Sequence, residues 1–325
     1  MRSSPPIPWL LGAASVAVVV AAMRSSAVRA PEPATGSHYD WQLLHASGSA
    51  SRGPFGVGVH IQDVQSNGRV VYASAPAQAF RSLDDGATWE EIRDLRGSNE
   101  IEFGDAGLIL VGTNRAEIHR SADSGRTWTT IKVEGLQTIP ALAIVGSRAY
   151  ASGASALLRS RDAGATWERA FEPKTPLPGI AARGRVVIAV GGAGLVVRSD
   201  DDGASFHEQW LGVLQFLHSV AFVTDSTVIA VGDDGLVVRS TDAGAHWSAV
   251  QTPTHEVLRA AAFADTLNGL AVGFWGEAIR TNDGGVSWVR ERTGTDAHLF
   301  GLSVHPGGGY LASGVRETVL RARPR

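Results

Sequence analysis

The sequence predicts an all-β chain: a seven-bladed β-propeller with four-stranded blades, closed by N- and C-terminal strands that share the last blade. Three observations predict it. A hairpin motif recurs six times at about forty-residue spacing. Short β-branched runs flank each copy in the same order. Three strand-like runs after the last copy and one segment before the first add up to one further unit. Repeats of this length with several short strands apiece signal radial repetition of small sheets.

The motif first appears as Arg81-Ser82-Leu83-Asp84-Asp85-Gly86-Ala87-Thr88-Trp89. Further copies are centred on Asp123, Asp162, Asp201, Asp242 and Asp283 and end at Trp128, Trp167, Phe206, Trp247 and Trp288. From Trp89 onward the terminal aromatics stand 39, 39, 39, 41 and 41 residues apart. Glycine supplies a positive φ at low cost, and the Asp carboxylate accepts amide hydrogen bonds that hold the turn shut. The aromatic pins the following strand to the sheet. These six carboxylates are therefore read as structural, since a catalytic acid is needed once and not six times. The arginines at 81, 120, 159, 198, 239, 280 and 321 are read as a structural ring at strand ends.

Each copy follows a β-branched run such as Leu195-Val196-Val197, a glycine-marked turn such as Gly191 to Gly194, and an earlier run such as Val186 to Val190. A strand of alternating polarity follows, as at Trp89-Glu90-Glu91-Ile92. Each unit thus holds four short strands. After Trp288 three runs remain (302–304, 310–312 and 318–320), with no box behind them. Tyr39-Asp40-Trp41-Gln42-Leu43-Leu44 resembles the missing fourth strand. Open sheet edges are costly, so the two ends are expected to pair.

Composition agrees. The 38 glycines follow no collagen period and imply many tight turns. A net charge of −3 gives no basic field for nucleic acid, and the absence of cysteine removes disulfides, thiolate nucleophiles and cysteine zinc sites. Ile7 to Met23 is an uncharged apolar run behind Arg2, so 1–30 is expected to be a secretory signal peptide or membrane anchor. Residues 31–37 are expected to be a linker, and 38–325 the propeller. The folded part is expected to be exported, in the periplasm or another extracytoplasmic space.

The repeated unit, an apolar strand followed by Arg-Ser-x-Asp-x-Gly-x-Thr-Trp, resembles the Asp-box (BNR) propellers. With seven blades behind an export signal, the chain is most similar to the photosystem II stability/assembly factor-like proteins. That resemblance covers 38–325 and implies a non-catalytic scaffold that docks a protein partner, including a membrane complex under assembly. It implies no cofactor. A monomer is expected.

Sialidases also carry such boxes, which keeps a glycoside hydrolase or carbohydrate-binding propeller as the alternative. Their first arginine lies in Phe-Arg-Ile-Pro, whereas the nearest match is Phe80-Arg81-Ser82-Leu83, part of a box. Tyr72, Tyr150 and Tyr310 fall at similar places in second strands, where packing explains them.

Recognition is expected on the surface opposite the boxes, where loops differ between copies. Aligning first strands places His60, His218, Arg259 and Phe300 in one slot, with Pro140 and Pro178. Glu100, His255, Glu256, Asp296 and His298 lie nearby, and Trp275 stands in a loop on this side. His60, His218, Arg259, His255, Trp275, His298 and Phe300 are the candidate partner contacts, with Trp275 the natural anchor. The plain reading is a solvated rim. A metal held by His60 and His218 is disfavoured because their blades are not neighbours. The carboxylate runs Asp200-Asp201-Asp202 and Asp233-Asp234 lack the spacing of a calcium loop.

Overall fold

A computed structural model of the chain describes residues 38–45, 59–68 and 70–325. The segment expected to be a signal peptide or anchor, and the linker after it, lie outside the described residues. Among the described residues no helix is long and apolar enough to cross a membrane.

The described residues form seven antiparallel sheets of four strands. Blades 1 to 6 are continuous in sequence, at 63–92, 98–132, 141–171, 179–210, 217–250 and 258–292. Blade 7 takes three strands from 299–324 and its fourth from Tyr39–His45. The closing pair is antiparallel, with Tyr39 opposite Pro324, Trp41 opposite Ala322 and Leu43 opposite Leu320. Tyr39 packs edge-on against Tyr310 at 5.5 Å.

Strand position in the blade follows polarity. Second strands such as Val71–Ala75, Val228–Gly232 and Tyr310–Gly314 are buried along their whole length. They sit between neighbouring strands and are covered on both faces by adjacent blades, so they read as continuous apolar runs. Fourth strands such as Glu90–Ile92 and Thr129–Lys132 form the exposed outer edge and carry charge. The core lies between blades. One cluster joins Leu110 and Ile118 of blade 2 to Leu142, Ala149 and Leu158 of blade 3.

The boxes close the hairpins between third and fourth strands. In blade 3 the Ser160 hydroxyl donates to Asp162 Oδ1 at 2.8 Å. Thr166 donates its amide to Oδ1 at 2.8 Å and its hydroxyl to Oδ2 at 2.6 Å. Ser160 Oγ also accepts the Gly164 amide at 2.8 Å, and the Trp167 indole donates to the Gly164 carbonyl at 3.0 Å. Asp84, Asp123, Asp201, Asp242 and Asp283 make the same pair of side-chain bonds two residues back and four ahead. The threonine hydroxyl and amide hold the Asp84 and Asp162 carboxyls down at about 2. Each carboxylate is spent on its own turn.

The boxes also lock blade to blade. The residue after each box Asp is left-handed, with φ of 57° at Asp85, 62° at Ser124 and 57° at Ala163. Its carbonyl is turned toward the preceding blade. Arg120 Nε donates to Ala163 O at 2.8 Å, Arg198 Nε to Ala243 O at 2.9 Å, and Arg239 Nε to Gly284 O at 3.0 Å. The arginine ring read from the sequence is therefore structural at these three positions.

Candidate functional site

The first strands surround a central channel that holds a cavity of about 650 Å³, lined along the length of those strands. Ladder registers fix which residues share a level. Ser219, Ala260, Glu100 and Asp63 pair with Val231, Val272, Gly112 and Ser74, each one residue before the end of its second strand. One residue earlier stand Gln62, Asn99, Pro140, Pro178, His218, Arg259 and Phe300, one per blade, all lining the cavity. The sequence placed Pro140, Pro178, His218, Arg259 and Phe300 correctly but assigned His60 to blade 1. The slot there belongs to Gln62. His60 lies two residues upstream, at the level of Phe216 and His298.

His218 is the best-defined member of the ring. Its Nε2–H donates to Asp233 Oδ1 at 2.7 Å, and its ring stacks on Phe216 at 5.3 Å. Arg259 Nη1 lies 2.8 Å from His218 Nδ1. A guanidinium only donates, so Nδ1 carries no proton and the imidazole is neutral. Burial lowers the His218 pKa, and the Arg259 charge adds to this against the pull of Asp233. Arg259 borders the channel but is enclosed by protein, and burial lowers its pKa too. Among the described residues it makes no ion pair, and its Nε is buried without a hydrogen-bond partner.

An aromatic group is built on blades 6 and 7. The turns after the second strands of blades 4, 5 and 6 share a left-handed residue: Ala193 at φ 53°, Asp234 at 56° and Trp275 at 59°. A glycine follows each. At Gly276 (φ +70°) a Cβ would meet the Thr295 carbonyl oxygen at 1.9 Å, so no other residue fits. Trp275 is 53% exposed, and its ring meets His298 edge-on at 4.3 Å. The Trp275 amide donates to His298 Nδ1 at 3.0 Å. Phe274 packs on His298 at 4.5 Å and faces Phe300 at 6.4 Å. His298 is 4% exposed, and its Nε2 has no hydrogen-bond partner.

His255 is exposed and its Nδ1–H donates to Asp234 Oδ1 at 3.0 Å, out on the rim. Asp296 pairs with Arg316 at 3.2 Å. His60 and His218 are not brought together; His60 instead adds its field to that of His298. Among the described residues no three His, Asp or Glu side chains are grouped as metal ligands. The Asp200 to Asp202 run is taken up by Arg198, by the box turn, and by Arg148 and Arg185. Asp233 and Asp234 are bonded to His218 and His255.

Sequence reasoning missed an acidic wall across the channel. Asp63, Glu100 and Glu102 feel each other's charge. Burial pushes Asp63 up to about 6 and Glu102 up to about 8, and Glu100 is raised well above the usual glutamate range. Glu100 and Glu102 retain some surface on the channel, yet protein encloses them, and it is this enclosure that raises them. Asp63 is committed to its neighbour: Oδ2 accepts the Ile101 amide at 3.1 Å, tying blade 1 to blade 2. The only signal in the sequence was the alternation of Glu100 and Glu102 on one strand face.

The chain matches no family model, and no match to a curated protein was found. Solved structures share its fold. YCF48 from Cyanidioschyzon merolae is 14% identical, with a TM-score of 0.69 over 87% of this chain and 98% of that one. A YCF48 bound to a D1 peptide is 13% identical, with a TM-score of 0.69 over 91% of this chain and 98% of that one. The GH74 xyloglucanase from Xanthomonas campestris is 17% identical, with a TM-score of 0.67 over 86% of this chain and 53% of that one. At these identities the likeness shows a propeller fold and carries no activity with it.

Proposed function

We propose that the protein is a non-catalytic, extracytoplasmic scaffold that docks a segment of a partner protein on the mouth of its channel, as the resemblance to photosystem II assembly factors implies. One observation carries this reading. Trp275 is a half-exposed tryptophan in the left-handed region, where Ala193 and Asp234 serve the turns of blades 4 and 5 and Arg316 that of blade 7. A bulky residue costs about 1 kcal/mol or more in that conformation, and such strain gathers at functional sites. Burial does not offset the cost, so the ring is held out for contact. Arg259, on the first strand of the same blade, adds a guanidinium that lines the channel. The YCF48 structure with a bound D1 peptide is an instance of this fold receiving a peptide. Export is part of the proposal and rests on the apolar run at 7–23.

The test is recovery of partners from membranes by intact protein and by a Trp275→Ala, Arg259→Ala double variant. Loss of the same partner from the variant, with unchanged thermal unfolding, supports docking at the mouth. Equal recovery removes this face from consideration. Fractionation of cells expressing the full chain tests export.

A second reading, a carbohydrate-active propeller, draws on the Asp63, Glu100 and Glu102 carboxyls and on the xyloglucanase among the similar folds. Hydrolysis of a β-glucan by the protein, abolished in Glu102→Gln, would establish it. No turnover by either would remove it.

A further inference from the structure

Two histidines of the mouth are used in the same unusual way. His298 accepts the Trp275 amide at Nδ1 at 3.0 Å, and His218 accepts the Arg259 guanidinium at Nδ1 at 2.8 Å. Neither donor can act as an acceptor, so a proton on either Nδ1 is incompatible with the bond it makes. The two residues so held are the ones placed at the docking face.

We propose that His218 and His298 are positioning residues that keep Arg259 and Trp275 in their docking arrangement only while both imidazoles are neutral, so that acidification releases the face. This rests on the docking reading above. The groups facing each ring set the direction of response. Around His218 stand Asp233 on Nε2, Arg259 on Nδ1 and the Phe216 ring. Around His298 stand Arg316, Asp296, Glu256 and His60, with Phe274 and Trp275 in ring contact.

At His218 the imidazolium would keep Asp233, whose attraction strengthens, and repel Arg259. The arginine is the partner that leaves. At His298 the new Nδ1–H would face the Trp275 amide, donor against donor. The left-handed turn loses the bond that helps hold it, and its strain favours relaxation. Both pKa values lie below the ordinary 6.5, with burial the largest cause. Arg259 at His218 and Arg316 at His298 act in the same sense, and the nearby carboxylates oppose them. The folded state therefore binds fewer protons than the unfolded chain just below 6.5. This contribution to stability is present above that pH and is lost as pH falls through the folded values.

The experiment is nitrogen-15 NMR of the imidazoles in the full chain, with protection of the Trp275 amide, from about pH 7.5 down to about 4.5. At the upper end both Nδ1 nuclei should report an unprotonated nitrogen. Protection at Trp275 should fall about tenfold or more at the pH where His298 gains its proton. His298→Asn places a non-titrating carboxamide oxygen close to the Nδ1 position, and should keep the protection while abolishing its pH dependence. A protonated Nδ1 at neutral pH, protection that is flat through the His298 titration, or an unchanged pH response in His298→Asn would each overturn the proposal. A partner retained equally above and below the transition would overturn the gating. Failure to retain any partner at either pH would count against the docking reading alone, because the NMR result needs none.

Discussion

Tyr150 and Arg159 are cross-strand partners in blade 3, yet only the tyrosine reaches the next blade. Its hydroxyl donates to Asp202 O at 3.1 Å, while Arg159 turns back to Glu168 at 2.7 Å. Blade 1 repeats the arrangement, with Tyr72 on Ser124 O at 3.4 Å and Arg81 on Glu90 at 2.5 Å. Where the partner is aliphatic, as Leu110, Ile188 or Ile229, the arginine makes the crossing bond instead. In five of the six boxes one acceptor, the carbonyl of the left-handed residue, is thus served by two side-chain types. Tyr310 falls outside this pattern. It pairs with Ala322, one position earlier than its two counterparts, and its hydroxyl points back to Asn268 O in blade 6 at 3.1 Å.

Arg239→Met should therefore lower stability by about 1–3 kcal/mol, because it strands a carbonyl that a charged donor now satisfies. Arg81→Met should cost clearly less, since Tyr72 keeps the blade contact. Urea unfolding of the two variants checks this. Equal losses would show that the crossing bond is not what matters.

Asp162→Ala should destabilise by roughly 1–2 kcal/mol, the scale of a lost cap. Its folded pKa, held at about 2, is below the unfolded value of 3.8. The box contribution is thus complete above about pH 4 and fades as pH falls toward 2. Melting curves between about pH 2 and 5 should show the wild-type advantage shrinking as pH drops.

Glu102→Gln should act in the opposite sense. Its folded pKa of about 8 exceeds the ordinary 4.5, so the folded chain binds more protons than the unfolded one between those values. Stability from this group is present below about 4.5 and is lost as pH rises through 8. The variant should match wild type near pH 4.5 and melt a few degrees higher near pH 9. A variant less stable at both pH values would show that the carboxyl is paired.

Trp275→Gly should separate stability from recognition. Glycine takes a left-handed φ without penalty, so the variant should be as stable as wild type or more so, by up to about 1 kcal/mol. Partner recovery should fall sharply. A marked loss of stability would make Trp275 an ordinary packing residue.

Removing residues 1–45 should deprive blade 7 of its fourth strand and expose the edge of Val319–Pro324. The truncated protein is expected to aggregate or to unfold at lower temperature. Supplying 38–45 as a peptide should restore part of the loss.

The sequence by itself determined the blade count, the hairpin chemistry and the closure by the two termini. Each box is held by bonds between residues two to four apart, so its chemistry is written into nine consecutive letters; six copies mark six blades, and the strand-like segments left at the two ends supply the seventh. The tertiary structure decided what meets in the channel. First strands enter the ring with irregular ladders, as the shift between Leu217 and Ser219 shows. A two-residue displacement there leaves no local trace, and so His60 was placed in the slot of Gln62. The acidic wall, the imidazole that binds Arg259 and the exchange of tyrosine for arginine depend on contacts across strands and blades. Those partners are 15 to 52 residues apart, too far for any local preference to register.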